Sequence, residues 1–494
     1  MKTNPVFDTL EPQAVWRHFA TLCAIPRPSK HEGALMRHLR DWANARGIAA
    51  RSDAAGNLVL TKPAAPGREN APGVILQGHV DMVCECDSCA AGHDFHRHPI
   101  LPEMADGWLV ARHTTLGADN GVGVALALAA AEDSELPHGP LEILLTVDEE
   151  AGMGGARHLE AGSLRGRFLL NLDTEEWGAF YLGCAGGVAI EANLDARAVA
   201  SAAPRAAQPY RLQLDGLDGG HSGIDIHKPR AHAIRQLLAL LPRLGAESDF
   251  PLIQLQGGTV FNALPRSAFA DLALTPAQHA AIAATLADHA RRLQQEYPRE
   301  TPSLTLAPSP EGALPEQALA ASVWRSLLRD IHALPFGVSA MSRDFPGVVE
   351  TSNNLAPLRI APRHCRCSLL ARSQDDAARD ALAENIVRQI RASGGTARCE
   401  GAYPGWKPNP ASTLLQQARL AYQQTFGRAP RLEVIHAGLE CGLFALSHPH
   451  LEMISFGPDI RGAHAPGECV DIASVGDCWR LLRRLLDTLS TPER

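Results

Sequence analysis

Two histidines and a group of acids stand where apolar, strand-like runs end. The run "GVILQGHVDMV" closes on His79 and Asp81. "LLTVDEEAGMGGA" breaks from an apolar stretch into Asp148, Glu149 and Glu150, and "RFLLNLDTEE" ends the same way on Asp173. Asp119 lies in "TTLGADNGVG" between glycines, and His464 lies in the Gly/Pro-rich stretch "SFGPDIRGAHAPGECVDI". Each alone has an ordinary structural reading: a buried polar pair, a helix cap at Asp119, an acidic turn, a loop acid, a loop histidine. Together, two imidazoles and three carboxylates are donors for a metal pair. A carboxylate such as Asp119 can bridge two cations about 3.5–4 Å apart. With it shared, each cation has three protein ligands and room for water, as catalytic zinc requires. Adjacent acids after a buried strand are costly unless positive charge lies among them.

These residues need elements to hold them. "EPQAVWRHFATLCAI" and "KHEGALMRHLRDWANARG" carry apolar residues at helical spacing, and "NGVGVALALAAAED" reads as a buried helix. "NLVLTK", "GVILQGHV", "LEILLTV", "RFLLNLD" and "AFYLGC" read as strands. Their near-continuous apolar character is that of strands covered on both faces. The fold class predicted is α/β: a layered catalytic domain with a central mixed sheet flanked by helices, interrupted by an inserted α+β domain. The character changes after "GCAGG", where "YRLQLDGL", "FADLALT" and "SLTLAPS" read as half-buried strands among long amphipathic helices. The expected division is 1–187, an insert over 188–398, and a return to the first domain over 399–494. The Ala/Pro-rich "SAAPRAAQP" (201–209) reads as loop.

The 494 residues carry a net charge of −8, which argues against a nucleic-acid binder. No apolar run reaches the roughly 18 residues of a membrane span, and the amino terminus shows no secretory h-region. Eleven scattered cysteines suggest reduced thiols and a cytoplasmic protein. Cys84, Cys86 and Cys89 cluster before His93, His96 and His98. C-x-C-x-x-C is not a standard zinc spacing, so a surface loop with free thiols is favoured over a structural zinc site.

The motifs "LQGHVDMV", "TTLGADNG", "GPLEILLTVDEEAGM", "GCAGG", "GGHSG", "AYPGW", "IHAGLECGLF" and "GAHAPGE" occur in this order along the chain. In this series the chain resembles the co-catalytic zinc peptidases, the family of carboxypeptidase G, peptidase T, aminoacylase and succinyl-diaminopimelate desuccinylase. The resemblance implies that His79 and Asp173 hold one zinc, Glu150 and His464 the other, and that Asp119 bridges them, followed by a cis peptide bond. It implies that Asp81 orients His79 and that Glu149 is the general base for an activated water. In the insert, it implies that His221 stabilises the oxyanion, Asn262 contacts substrate and Arg372 grips the substrate's terminal carboxylate. Two zinc ions per subunit are implied, with manganese or cobalt as substitutes. The implied activity is hydrolysis of unblocked Xaa-His dipeptides such as carnosine. The alternatives are an N-acyl-amino-acid amidohydrolase, a broad di- or tripeptidase, or a catalytically silent metal-binding scaffold. A homodimer through the insert is also expected.

Overall fold

The computed structural model describes residues 4–194, 200–201 and 206–491. Residues 202–205 of the expected 201–209 loop lie outside them, as do the first three residues of the chain. Contacts divide the chain into two compact units. One comprises Met1–Cys184, Trp406–Val434 and Leu439–Arg494; the other comprises Ala185–Gly405 and Ile435–Gly438.

In the first unit, eight strands among the described residues form one sheet. Their order is Ala49–Ser52, Leu58–Lys62, Leu141–Thr146, Val74–His79, Phe168–Asn171, Glu452–Ser455, Ala179–Cys184 and Arg431–Ile435. The four from Leu141–Thr146 through Glu452–Ser455 run parallel and the flanking pairs antiparallel, which makes the sheet mixed. Every residue of Val74–His79, Leu141–Thr146 and Phe168–Asn171 is buried. Helix Ala118–Glu132 packs on Val74–His79 and on helix Gln13–Ala24. Its small side chains, Ala125, Ala127 and Ala129 to Ala131, let it lie close and buried on nearly all sides. Helices Thr413–Phe426 and Ile472–Leu489 pack together, and the latter buries Val475, Leu482, Leu485 and Leu489.

Register determines what this sheet presents. His79 pairs with Thr146 and Gln77 with Asn171, so three parallel strands end nearly flush. The segments carrying His79 and Asp81, Asp148 to Glu150, and Asp173 therefore leave one carboxyl edge, where open α/β sheets place their sites. A four-stranded sheet joins Ile460–Arg461, Cys469–Asp471, Trp108–Val110 and Glu103–Ala105, and His464 lies in the loop between the first two.

The second unit is built on antiparallel strands, among them Ser303–Pro308, Gln208–Asp215, Ala268–Leu274, Leu252–Gly257, Val349–Ala361, His364–Ser373, Gly186–Asn193 and Thr396–Tyr403 in spatial order. Helices Ala233–Glu247 and Ala321–His332 pack on each other and bury Leu237, Leu241, Leu244 and Trp324 in its core. Trp324 stacks on Phe250 at 5.3 Å. One strand differs from expectation: Ala268–Leu274 is almost wholly buried rather than half-buried. Its polar residue, Asp271, tolerates burial because Arg211 donates to both of its oxygens at 2.8 and 2.7 Å.

Candidate active site

The five metal-ligand candidates come together in the first unit. His79 Nε2 lies 3.1 Å from Asp119 Oδ1 and 3.4 Å from Asp173 Oδ1. His464 Nε2 lies 3.2 Å from Asp119 Oδ2 and 3.0 Å from Glu150 Oε2. Asp119 thus turns one oxygen to each imidazole, and each Nε2 faces two carboxylates. The donor atoms fall into the sets His79–Asp119–Asp173 and Asp119–Glu150–His464. Nitrogen and oxygen ligands about 2.0–2.1 Å from a tetrahedral ion stand roughly 3.3–3.4 Å from one another. The donors here are already near that spacing, so in chemistry and separation they fit two divalent cations sharing Asp119. Glu149 joins His79 and Glu150 in a third set on the same edge.

The clustered charges shift one another's affinity for protons. Burial lowers the affinity of His79 for its proton, but Asp173, Asp119 and Asp81 outweigh it and leave the pKa well above the usual imidazole value. Hydrogen bonds to Asp119 and Glu150 raise that of His464 to about 11. Burial raises Asp173 to about 6. For Asp119, burial is outweighed by the hydrogen bonds to His464 and His79, which hold it below the carboxylate range. Burial, then the charges of Asp173, Glu440 and Glu150, push Glu149 well above the usual value, with His79 opposing.

The backbone around these side chains is held by buried groups. Asp81 is fully buried. Its Oδ1 accepts the N–H of Glu149 and its Oδ2 that of Glu150, both at 3.1 Å, while Ser29 donates to Oδ2 at 2.8 Å. Asp81 Oδ1 also lies 3.4 Å from His79 Nδ1, so one carboxylate sets the imidazole and the two glutamates together. Burial opposes its ionisation, but these partners hold it at about 2.

Arg27, also buried, donates to the carbonyls of Val80, Asp81 and Gly117. Gly117 has φ +67°, and a Cβ there would meet the Arg27 guanidinium at 2.3 Å, so glycine is required on both counts. Opposite, Glu468 accepts the N–H groups of Leu116, Gly117, Ala118 and Asp119. The Asp119–Asn120 peptide bond is cis, and Asp119 does not cap the helix. Beneath the site, Glu440 accepts from Gln77 at 2.6 Å and Thr146 at 2.8 Å, and burial raises it to about 8.

His221 and Arg372 are electrostatic neighbours in the second unit. His221 Nδ1 accepts the N–H groups of Gly223 at 3.2 Å and Ile224 at 3.0 Å. Burial, then Arg372, lowers its pKa to about 4, so the ring is neutral near pH 7 with its proton on Nε2. Arg372 is buried; its Nη1 donates to Tyr403 Oη at 2.7 Å, and its Nε is buried without a partner. Asn262 is an exposed turn residue whose carbonyl accepts the N–H of Ser222 at 2.8 Å. His436, which the sequence reading did not single out, is bonded to Ser352 Oγ at 2.7 Å, with Nδ1 buried and unpartnered. Burial, then Arg372 and His221, lower its pKa to about 3.

The cysteine–histidine stretch over 84–98 does not converge on one ion. Among the described residues, only Cys89 of that stretch's cysteines and histidines enters a donor set, with Asp87 and His113. Arg27, Glu468 and His436 escaped the sequence reading, although the last two lie inside quoted motifs. A charged residue fixed amid Gly and Pro, such as Glu468 in "HAPGE", is the signal that could have marked one of them.

The profile of peptidase family M20/M25/M40 matches residues 75–488. The cytosol non-specific dipeptidase of Escherichia coli is 40% identical over 479 residues, 97% of this chain and 98% of that protein. The crystal structure of aminoacylhistidine dipeptidase from Vibrio alginolyticus matches with a TM-score of 0.88 at 38% identity, covering 99% of this chain and 98% of that one. Aminopeptidase PepT from Bacillus cereus shares the fold, with a TM-score of 0.55 at 16% identity over 98% of this chain and all of that one. Matched over most of its length by the profile and nearly end to end by a relative at 40% identity, the chain belongs to peptidase family M20/M25/M40.

Proposed function

We propose that this protein is a metal-dependent dipeptidase that hydrolyses unblocked dipeptides, Xaa-His dipeptides such as carnosine among them. The observation that carries the reading is Asp119, with one oxygen toward His79 and the other toward His464. In this reading His79 and Asp173 hold one zinc, Glu150 and His464 the other, and Asp119 belongs to both; manganese or cobalt would also suit these donors. When bound, such a pair polarises the peptide carbonyl and brings the pKa of a water down toward neutrality. Glu149 takes the proton from that water and later delivers it to the leaving amine. Asp81 keeps His79 oriented and sets the backbone so that Glu149 and Glu150 serve different roles. The second unit supplies substrate contacts: His221 donates from Nε2 to the developing oxyanion, Arg372 offers its unpartnered Nε to the terminal carboxylate, and Asn262 contacts the dipeptide.

Among the described residues no helix is long and apolar enough to cross a membrane, and the Escherichia coli relative is named as cytosolic; we place the protein in the cytoplasm. Ile224, Val260 and Phe261 stand exposed beside His221 and Asn262, which suits a homodimer formed through the second unit.

The Vibrio relative's name specifies aminoacyl-histidine substrates and the Escherichia coli relative's name does not, so a broad dipeptidase is the second reading. A panel of Xaa-His dipeptides, other dipeptides, tripeptides and N-acetyl amino acids, assayed with and without chelator, separates these. Hydrolysis of Xaa-His dipeptides, lost to chelator and restored by zinc, is expected. Equal turnover of all dipeptides would favour the broad reading, and faster turnover of an acetyl-amino acid would favour an amidohydrolase. Undiminished activity in metal-free protein would overturn the metal mechanism.

A further inference from the structure

Asp87, Cys89 and His113 form a second place where metal donors converge, composed of residues separate from the paired set. Their ligand atoms lie within 4.8 Å of one another. The two segments that carry them are stitched together by backbone. Asp87 donates its N–H to the carbonyl of His113 at 3.0 Å, Thr115 donates to that of Glu85 at 2.9 Å, and Cys86 bridges Thr114. Asp87 divides its carboxylate: Oδ1 accepts the N–H groups of Cys89 and Ala90, while Oδ2 faces His113 Nδ1 at 2.9 Å. The turn that uses Oδ1 brings Cys89 back over the Asp87–His113 pair.

We propose that Asp87, Cys89 and His113 bind one zinc-like transition-metal ion, a third site on the chain. One carboxylate oxygen, one thiolate and one imidazole nitrogen make a borderline-soft set that favours zinc, cobalt(II) or copper(I) over magnesium or calcium. An Asp87 oxygen and a His113 ring nitrogen donate lone pairs to the ion, any hydrogen on that nitrogen passing to solvent, and the Cys89 thiol releases its proton to solvent as the metal–sulfur bond forms. Three protein ligands leave a position for water. Asp87 and His113 are 39% and 52% exposed, so the ion exchanges with solvent readily.

Sulfur distinguishes this site from the paired one, whose donors are all nitrogen and oxygen. The metal-free full-length protein is titrated with cobalt(II) chloride while near-ultraviolet absorption and bound metal are followed. A sulfur-to-cobalt charge-transfer band is expected, together with three bound equivalents. C89S should abolish the band and keep two equivalents. H113A and D87A should weaken the third equivalent by about tenfold or more, the least that disturbing a ligand's surroundings costs. C84S and C86S should leave the band intact. Absence of the band in the unaltered protein, or its persistence in C89S, overturns the proposal. Loss of the two sulfur-free equivalents with the band retained would count against the paired site instead.

Discussion

Glu468 accepts the backbone N–H of Asp119 at 3.3 Å from a position 349 residues further along the chain. The same oxygen takes the N–H of Ala118, and the other takes Leu116 and Gly117. Four donors on one carboxylate is a demanding arrangement, and glutamine cannot reproduce it. Its amide nitrogen would face two N–H groups that need an acceptor. Glu468→Gln is therefore expected to let the segment before Asp119 shift and to weaken metal binding by about 10–100-fold, the usual cost of losing a group that orients a ligand. Chelator competition measures the affinity, and far-ultraviolet circular dichroism checks that the fold is kept. A folded E468Q with unchanged affinity would show that the clamp does not position Asp119.

Glu149 and Glu150 are adjacent, and the proposed function gives them separate roles. Asp81 holds their N–H groups on different oxygens, and only Glu150 lies against His464. Glu149→Gln should keep both metals and lower kcat by about a hundred- to ten-thousand-fold, the range for a general base. Glu150→Gln should lose metal first and activity in consequence. Metal content by atomic absorption beside kcat tells these apart. Equal metal loss in both variants would refute the division.

Much of this candidate site was legible because His79, Asp81, Glu149, Glu150 and Asp173 follow apolar strands. A run such as Val74–His79 or Leu141–Thr146 announces a covered strand, and polar residues clustered at its end need a reason to be there. The long second-unit helices were legible from their spacing. What could not be read were contacts whose partner is backbone. Arg27 and Glu468 look like any charged residue in sequence, since nothing there shows that three carbonyls and four N–H groups await them. That strand Glu452–Ser455 lies beside Phe168–Asn171 shows only in three dimensions. The cysteine–histidine stretch misled in the opposite direction: proximity along the chain suggested one cluster, whereas the turn at Asp87 delivers a single cysteine to a histidine 24 residues away.

Metal binding should be coupled to protons, with a definite sign. In the metal-free site His464 has its pKa raised from 6.5 to about 11, so it is protonated at neutral pH. A cation must displace that proton and the one on His79. Affinity should therefore rise with pH, and calorimetric titration in buffers of different ionisation enthalpy should show net proton release. The same shift bears on the metal-free fold. A raised pKa contributes stability that is fully present below 6.5 and is lost as pH climbs through about 11. Metal-free protein should thus lose stability toward alkaline pH relative to His464→Ala. Proton uptake on metal binding would contradict this account.

Arg372 carries the proposed preference for a free carboxyl terminus. Its Nη1 is engaged by Tyr403, while Nε is buried with no partner. A buried guanidinium N–H without an acceptor is costly, and a substrate carboxylate would satisfy it. Arg372→Ala should raise KM for an unblocked dipeptide by about 10–100-fold, equivalent to roughly 1.5–3 kcal/mol for a hydrogen bond to a charged group. The same dipeptide with an amidated terminus lacks the charge, so its KM should hardly move. Lysine keeps the charge but not the planar fork, and Arg372→Lys should recover only part of the discrimination. Tyr403→Phe adds a control: it frees Nη1 without removing Nε, so the preference for the free acid should survive. If the unaltered protein treats acid and amide alike, or if Arg372→Ala weakens both equally, the arginine serves structure and the carboxylate is held elsewhere.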